Sequence, residues 1–376
     1  MGDLKSMQHP RPPTPNTRFS QHHSDTLSLK TSKNPQGTAE AWQRELLEAY
    51  RTPEDLLNAG LIVQSDVELL RPILKRFRMV LPRYYASLID PSLPNCPIRL
   101  QAIPCVEEGA PTQGNESFDP LHDVEHKPAP HITHRLQGRA LLHLTPNCSM
   151  YCRFCFRKSL LNEHVSELFL GSLDASLEYL HREKSLREVI LSGGDPLMLS
   201  DRALGWAISQ LGLMPHIKII RLHSRTPVTL PSRVTPQLIE ALASSKQRVL
   251  VTHFNHPREI TWQACNAMHL LRGAGITLLN QTVLLAKVNA SVETLRGLSE
   301  KLFEVGILPY YLHHPDPALG TQMFWVSVEE GRALYHELRK QMPGYLVPRY
   351  VQDHPSRPYK DLPELFDRSD PRPKSI

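Results

Sequence analysis

The chain has 376 residues, 40% of them hydrophobic, and its 43 Lys and Arg against 38 Asp and Glu leave a formal charge of +5. So mild a balance, with no dense basic run, argues against a nucleic-acid partner, and no apolar run is long enough for a bilayer span or a secretory signal. Six cysteines are too few for a disulfide framework at this length and fit a reducing compartment, so a cytoplasmic protein without membrane contact is expected.

Residues 1–37 are rich in Pro, Ser, His and Thr and poor in large apolar side chains, so a disordered tail is expected there. From Thr38 the pattern turns helical. Trp42, Leu46, Leu47 and Tyr50 share one face, and Leu56, Leu57, Leu61 and Ile62 follow a helix start at Thr52-Pro-Glu-Asp55. The pattern continues through residues 67–73 and 84–89, then yields to a Pro-rich, acidic stretch over 91–130 that reads as a linker or lid. Residues 38–130 thus form an N-terminal helical region with its linker.

Beyond Arg139 a repeat begins. Apolar runs at 140–144, 189–191, 217–222, 249–253, 276–285 and 308–312 alternate with helical patterns every roughly thirty residues, the length of a βα unit. This predicts an α/β core over 131–342: a partial (β/α)6 barrel, not fully closed, with its chemistry at the carboxyl ends of the strands. A helix over 327–341 and a tail over 343–376 follow. Polar groups gather at every predicted strand end. Cys148-Ser-Met-Tyr-Cys152-Arg-Phe-Cys155 follows the first, Ser192-Gly-Gly-Asp195 the second, His223-Ser-Arg225 the third and His253-Phe-Asn255 the fourth; Asn280-Gln281 lies within the fifth, and His313-His-Pro-Asp316 follows the sixth. Paired glycines alone are most often a tight turn, and a histidine at a strand end is often only hydrogen-bonded structure. All six together at one rim have no purely structural reason.

The cysteine spacing is the sharpest signal. A structural zinc site wants four closed ligands, and Cys96, Cys105 and Cys265 stand alone. Three thiolates on a four-iron cube leave one iron open, and CxxxCxxC resembles the signature of radical S-adenosylmethionine (SAM) enzymes. On that reading Cys148, Cys152 and Cys155 hold a [4Fe-4S] cluster. Close backbone approach at Gly193, Gly194 and Asp195, together with His253 and Gln281, serves SAM.

The stretch from about 118 to 363 resembles the lysine 2,3-aminomutase family, including its relatives that supply β-lysine for elongation factor P. The matching phrases are Asp119-Pro-Leu, Gly138-Arg-Ala-Leu-Leu, Leu191-Ser-Gly-Gly-Asp-Pro-Leu, Arg225-Thr-Pro-Val, Thr252-His-Phe-Asn-His-Pro, Leu279-Asn-Gln and Gly344-Tyr-Leu-Val-Pro, besides the cysteine stretch. The resemblance implies that Lys360 forms a Schiff base with pyridoxal phosphate, making 343–376 a C-terminal cofactor-binding segment. It further implies that Arg157 grips the substrate carboxylate, that Asp316 and Asp353 receive the distal amino group of L-lysine, and that Arg135 and Arg139 contact the cofactor phosphate. A cation at one end and two carboxylates at the other complement lysine and repel glutamate. The implied enzyme is an isomerase converting L-lysine to β-lysine, fed by an electron donor such as flavodoxin or ferredoxin and forming a homo-oligomer. The alternatives are a related radical enzyme for another amino acid and a non-catalytic metal-binding protein. Two departures from the pattern stand out: Ser356-Arg-Pro-Tyr359 replaces a glycine-rich run, and Val288-Asn-Ala290 stands where an Asn-Asp pair is usual. The zinc-binding cysteines near the carboxyl end of some relatives have no counterpart, so no structural zinc is expected.

Overall fold

The computed structural model describes residues 41–363 except 113, 115 and 163–166. The tail expected over 1–37 lies outside the described residues. Eight strands form one sheet in the order of the chain: β1 (Ile132–Leu136), β2 (Arg139–Thr145), β3 (Glu188–Gly193), β4 (Ile219–His223), β5 (Gln247–Thr252), β6 (Thr277–Val283), β7 (Leu308–His313) and β8 (Arg349–Val351). From β2 to β8 every neighbouring pair is parallel; β1 alone is antiparallel, turned back on β2 through Gly138 in the left-handed region. Among the described residues β1 and β8 do not pair, so the barrel stays open.

Each parallel crossover needs a helix, and the sequence marks where each one begins. The helices Leu173–Arg182, Asp201–Gly212, Pro236–Ala241, Trp262–Gly273, Val292–Glu304 and Val328–Gln341 follow Ser172, Ser200, Thr235, Thr261, Ser291 and Ser327. In all six the hydroxyl oxygen of that residue accepts a hydrogen bond from a backbone N–H of the first turn, a cap worth about 1 kcal/mol over alanine.

Strand side chains alternate between faces, so one face of each strand meets the helices and the other lines the barrel. Leu142, Val189, Leu191, Ile220, Leu222, Leu250 and Leu278 are buried in the helix-side core. The opposite set is Arg139 and Leu141 on β2, Ile190 and Ser192 on β3, Arg221 and His223 on β4, Gln281 and Val283 on β6, and Tyr311 and His313 on β7. A barrel packed only for stability fills its interior with branched apolar residues. This one keeps a cavity lined by charged and polar side chains as well as apolar ones.

Six strands were expected and all six are present, within a few residues of the expected runs. The sheet adds an edge strand on either side. β1 is five residues with Thr, His and Arg among them, and β8 is three residues directly after Pro348, too short to leave a periodic signature. The tail beyond 343, which alone reads as a surface peptide, therefore contributes the last strand of the sheet. Residues 91–130 are also more built than a linker: the helix Pro97–Ala102 and the turn Val106–Gly109 bury Ile98, Gln101, Ala102 and Glu108. Helices Ala41–Leu47, Pro53–Asn58, Gln64–Arg76 and Arg83–Ala86 precede them, as the periodicity predicts. No helix among the described residues is long and apolar enough to cross a membrane.

Candidate active site

The cysteine loop leaves β2 and crosses the carboxyl-end rim of the barrel. Cys148, Cys152 and Cys155 are free thiols that line the central cavity. Burial pushes the Cys148 thiol well above the ordinary cysteine range and Cys155 up to about 11, each with a further rise from the neighbouring thiols. Such thiols give up their protons to a metal that takes the charge. Among the described residues no three His, Cys, Asp or Glu side chains converge on a single ion. A cluster asks for one sulfur at each of three irons, so three thiols around one cavity suit it by chemistry and placement.

Neighbouring groups hold the loop from both sides. Arg153, between the second and third cysteines, is 1% exposed and donates through Nε to both oxygens of Glu108 at 2.9 and 3.1 Å. Lys158 Nζ donates to the same carboxylate at 2.8 Å and to the carbonyls of Arg153 and Gly320. Burial opposes the charge on Glu108, yet Arg153 and Lys158 keep its carboxyl below the usual range; burial lowers Lys158 to about 8 against the pull of Glu108. On the barrel side, Gly194 N donates to Thr145 O at 2.7 Å and Asp195 N to Asn147 O at 2.8 Å. Here the two glycines are indispensable to the chain itself. A Cβ at Gly193, whose φ is +116°, would lie 2.6 Å from the Thr145 carbonyl oxygen, and one at Gly194 2.5 Å from that of Asn147. Asp195 is likewise occupied: it accepts from Leu197 N, Ser224 Oγ, Arg225 N and Thr226 N at 2.7–3.0 Å. Its oxygens tie the end of β3 to the end of β4.

A second group of lining residues is charged. Lys360 Nζ donates to Asp353 Oδ2, Arg135 Nη2 donates to Asp353 Oδ1 at 2.7 Å, and His313 Nδ1 lies 3.8 Å from Asp353 Oδ2. Burial opposes ionisation of Asp353, but Lys360, His313 and Arg135 hold its carboxyl far below the usual range. Asp316 shows the reverse. Burial and then the nearby Asp353 push its carboxyl up to about 7, and it accepts no side-chain hydrogen bond among the described residues. Arg157 is fixed by Asp123, whose Oδ2 accepts from Nε at 2.7 Å, while Nη1 reaches Ser192 Oγ at 3.4 Å. Arg139 and Gln281 line the same cavity. Among the described residues nothing hydrogen-bonds the buried Nε2 of His223 or of His253, and burial lowers both well below the ordinary imidazole range, so both rings are neutral.

All the expected site residues therefore meet at one cavity: the three cysteines, Gly193, Gly194, Asp195, His253, Gln281, Arg135, Arg139, Arg157, Asp316, Asp353 and Lys360. Within it Arg135 engages Asp353 and the carbonyl of His354, the ordinary ion-pair use for such a residue. Three partners escaped sequence reasoning. Asp123 and Glu108 sit in the acidic stretch over 91–130, where carboxylates look solvated. Arg225 was visible as a strand-end cation, but nothing in the spacing shows that it touches a cysteine.

Residues 142–296 match the model of the Radical SAM superfamily. The L-lysine 2,3-aminomutase of Clostridium subterminale is 38% identical over 314 residues, which cover 84% of this chain and 75% of that protein. That of Fusobacterium nucleatum is 37% identical over 334 residues, covering 88% and 78%. The protein of the same name from Escherichia coli K12 is 37% identical over 324 residues, covering 85% of this chain and 94% of its own length.

Proposed function

The chain belongs to the L-lysine 2,3-aminomutase family of radical SAM aminomutases, and from that premise we propose that it moves the 2-amino group of L-lysine to carbon 3, giving β-lysine, with pyridoxal phosphate as a further cofactor. The family makes it an isomerase that uses a [4Fe-4S] cluster and SAM. The observation that carries the lysine reading is the set of groups that line one cavity together: the three thiols, the guanidinium of Arg157, the carboxyls of Asp316 and Asp353, and the amine of Lys360.

In this proposal Cys148, Cys152 and Cys155 hold the cluster, and His253 and Gln281 orient SAM beside it. Lys360 anchors the pyridoxal group, with Arg139 and Arg135 toward its phosphate. When bound, the cluster and SAM supply one-electron chemistry, and pyridoxal phosphate supplies an electron sink for the migrating amino group. The protein's own work is positioning. Asp123 fixes Arg157 through Nε, which leaves Nη2 uncommitted among the described residues and able to take a carboxylate. Asp316 and Asp353 face the cation at the far end of the substrate. A chain gripped at both ends brings its β-carbon to one place, and small displacements there are costly.

The test is direct. Full-length protein reconstituted anaerobically with iron, sulfide and pyridoxal phosphate is given SAM, a low-potential reductant and labelled L-lysine, and the products are identified by mass spectrometry. Appearance of β-lysine supports the proposal. SAM consumed with lysine returned unchanged overturns the substrate, and a panel of other amino acids then decides between family members.

A further inference from the structure

Arg225 has no part in the roles above, yet it donates directly to the sulfur of a cysteine assigned to the cluster. It follows β4, is 8% exposed, and points its fork at the loop. Nη1 donates to Sγ of Cys152 at 2.7 Å. Nη2 donates to Glu259 Oε1 at 2.6 Å, to Gln101 Oε1 at 2.7 Å and to Tyr85 Oη at 3.1 Å, while Nε donates to the carbonyl of His253 at 3.1 Å. The rings of Phe154 and Tyr85 flank the guanidinium, with centroids at 5.0 and 5.6 Å. Every nitrogen of the fork is engaged, so the group cannot swing toward another task without breaking several buried bonds. Glu259 is equally fixed: Tyr85 Oη, Asn255 N and His256 N donate to it besides Arg225. An ion pair whose only duty was to hold the helical region on the barrel would be complete with Glu259, Gln101 and Tyr85. The bond to sulfur is additional.

We propose that Arg225 tunes the reduction potential of the cluster held by Cys148, Cys152 and Cys155, through its charge-assisted hydrogen bond to the Cys152 sulfur. The inference rests on the assignment of those cysteines to the cluster. Reduction brings in one electron from a low-potential reductant, with no atom or proton exchanged. The added negative charge spreads onto the sulfurs, so a cationic donor at one of them stabilises the reduced cluster more than the oxidised one and raises the potential. The Glu259 carboxylate acts in the opposite sense from the next position outward. Removing the cation and removing the anion must therefore shift the potential in opposite directions, which loss of a merely structural contact does not do.

The experiment is a redox titration of the full-length chain, reconstituted with iron and sulfide and followed by the paramagnetic resonance of the reduced cluster, without SAM. In Arg225→Met the ratio of reduced to oxidised cluster at fixed potential falls about tenfold, equal to about 59 mV for one electron. Arg225→Lys recovers part of that loss, and Glu259→Gln shifts the ratio upward. Wild-type potentials in all three variants overturn the inference, as do shifts of the same sign in Arg225→Met and Glu259→Gln. Should Arg225→Met take up no iron, Arg225→Lys and Glu259→Gln decide by the same criterion. A wild-type chain that binds no iron–sulfide removes the cluster assignment itself and this inference with it, whereas a loaded cluster indifferent to these residues removes this inference alone.

Discussion

Two sets of charged groups around the cavity are built on different principles. Three cations beside the cysteine loop pair with buried carboxylates that do not line the cavity: Arg153 and Lys158 share Glu108, and Arg225 has Glu259. Elsewhere in the lining, Asp353 is shared by Lys360 and Arg135, with His313 Nδ1 3.8 Å away, and Asp353, Lys360 and Arg135 are among the groups proposed to meet substrate and pyridoxal phosphate. A resident cluster is positioned by closed networks that never need to open. A substrate that enters and leaves each cycle meets ion pairs that can be traded for its own charges, and a buried pair is a poor source of net stability, so the exchange is thermodynamically feasible.

The sharpest way to break this contrast is Lys360→Ala. Turnover should fall more than about 10³-fold and the absorbance of lysine-bound pyridoxal phosphate should vanish, while iron content and reductive SAM cleavage remain at wild-type levels. Loss of the cluster in that variant would show that the two sets are not independent. Next in size is Glu108→Ala. It strands Arg153 and Lys158 without their carboxylate and should cost about 3–5 kcal/mol of stability, read by calorimetry as a lower Tm. Asp353→Asn should cost less, because its partners Arg135 and Lys360 keep 12% and 20% of their side chains exposed.

A smaller effect sharpens the substrate side. With its carboxyl near pH 7, Asp316 is mostly protonated at pH 6 and mostly charged at pH 8. Lysine affinity measured by calorimetry should therefore tighten about tenfold across that interval, and Asp316→Asn should flatten the profile. A further effect, on stability rather than on binding, concerns His143, where burial and then Arg157 lower the imidazole to about 3. The unfolded chain takes up that proton first, near the ordinary value of about 6.5, so this contribution to stability is complete above pH 6.5 and is lost as the pH falls toward 3. Denaturant unfolding of His143→Gln between pH 6.5 and 4 should show a shallower loss, by at most about 1.4 kcal/mol per pH unit.

The core of the fold was legible because each inner strand is a short apolar run and each crossover helix opens on Ser or Thr. β1 and β8 were not, because Ile132–Leu136 breaks its apolar run with Thr, His and Arg and Arg349–Val351 is too brief for any period. The cysteines declared themselves by spacing. Lys360 did not: nothing in a Pro- and Arg-rich tail separates it from a solvated lysine, and only resemblance singled it out. Glu108 and Asp123 illustrate why partners are the hardest residues to read. Their burial is created by the barrel rim they pack against, far away in sequence. Gly193 and Gly194 show a motif read for one purpose that also has another, since their missing side chains admit the backbone of Thr145 and Asn147.

The short bridge between Gln352 and Asp361 has its own consequence. Gln352 N donates to Asp361 O at 3.0 Å and Asp361 N to Gln352 O at 2.8 Å, so the eight intervening residues form a loop stapled at its neck. Asp353 and Lys360 are the first residues inside that staple, one on each arm, and their separation is fixed by the neck rather than by the bend between them. The departure Ser356-Arg-Pro-Tyr359 falls on the outer bend, where Ser356, Pro358 and Tyr359 face solvent. Arg357, within that departure, donates through Nη1 to Asp361 Oδ1 at 2.8 Å and so braces the neck itself, across which the anion and the amine are held.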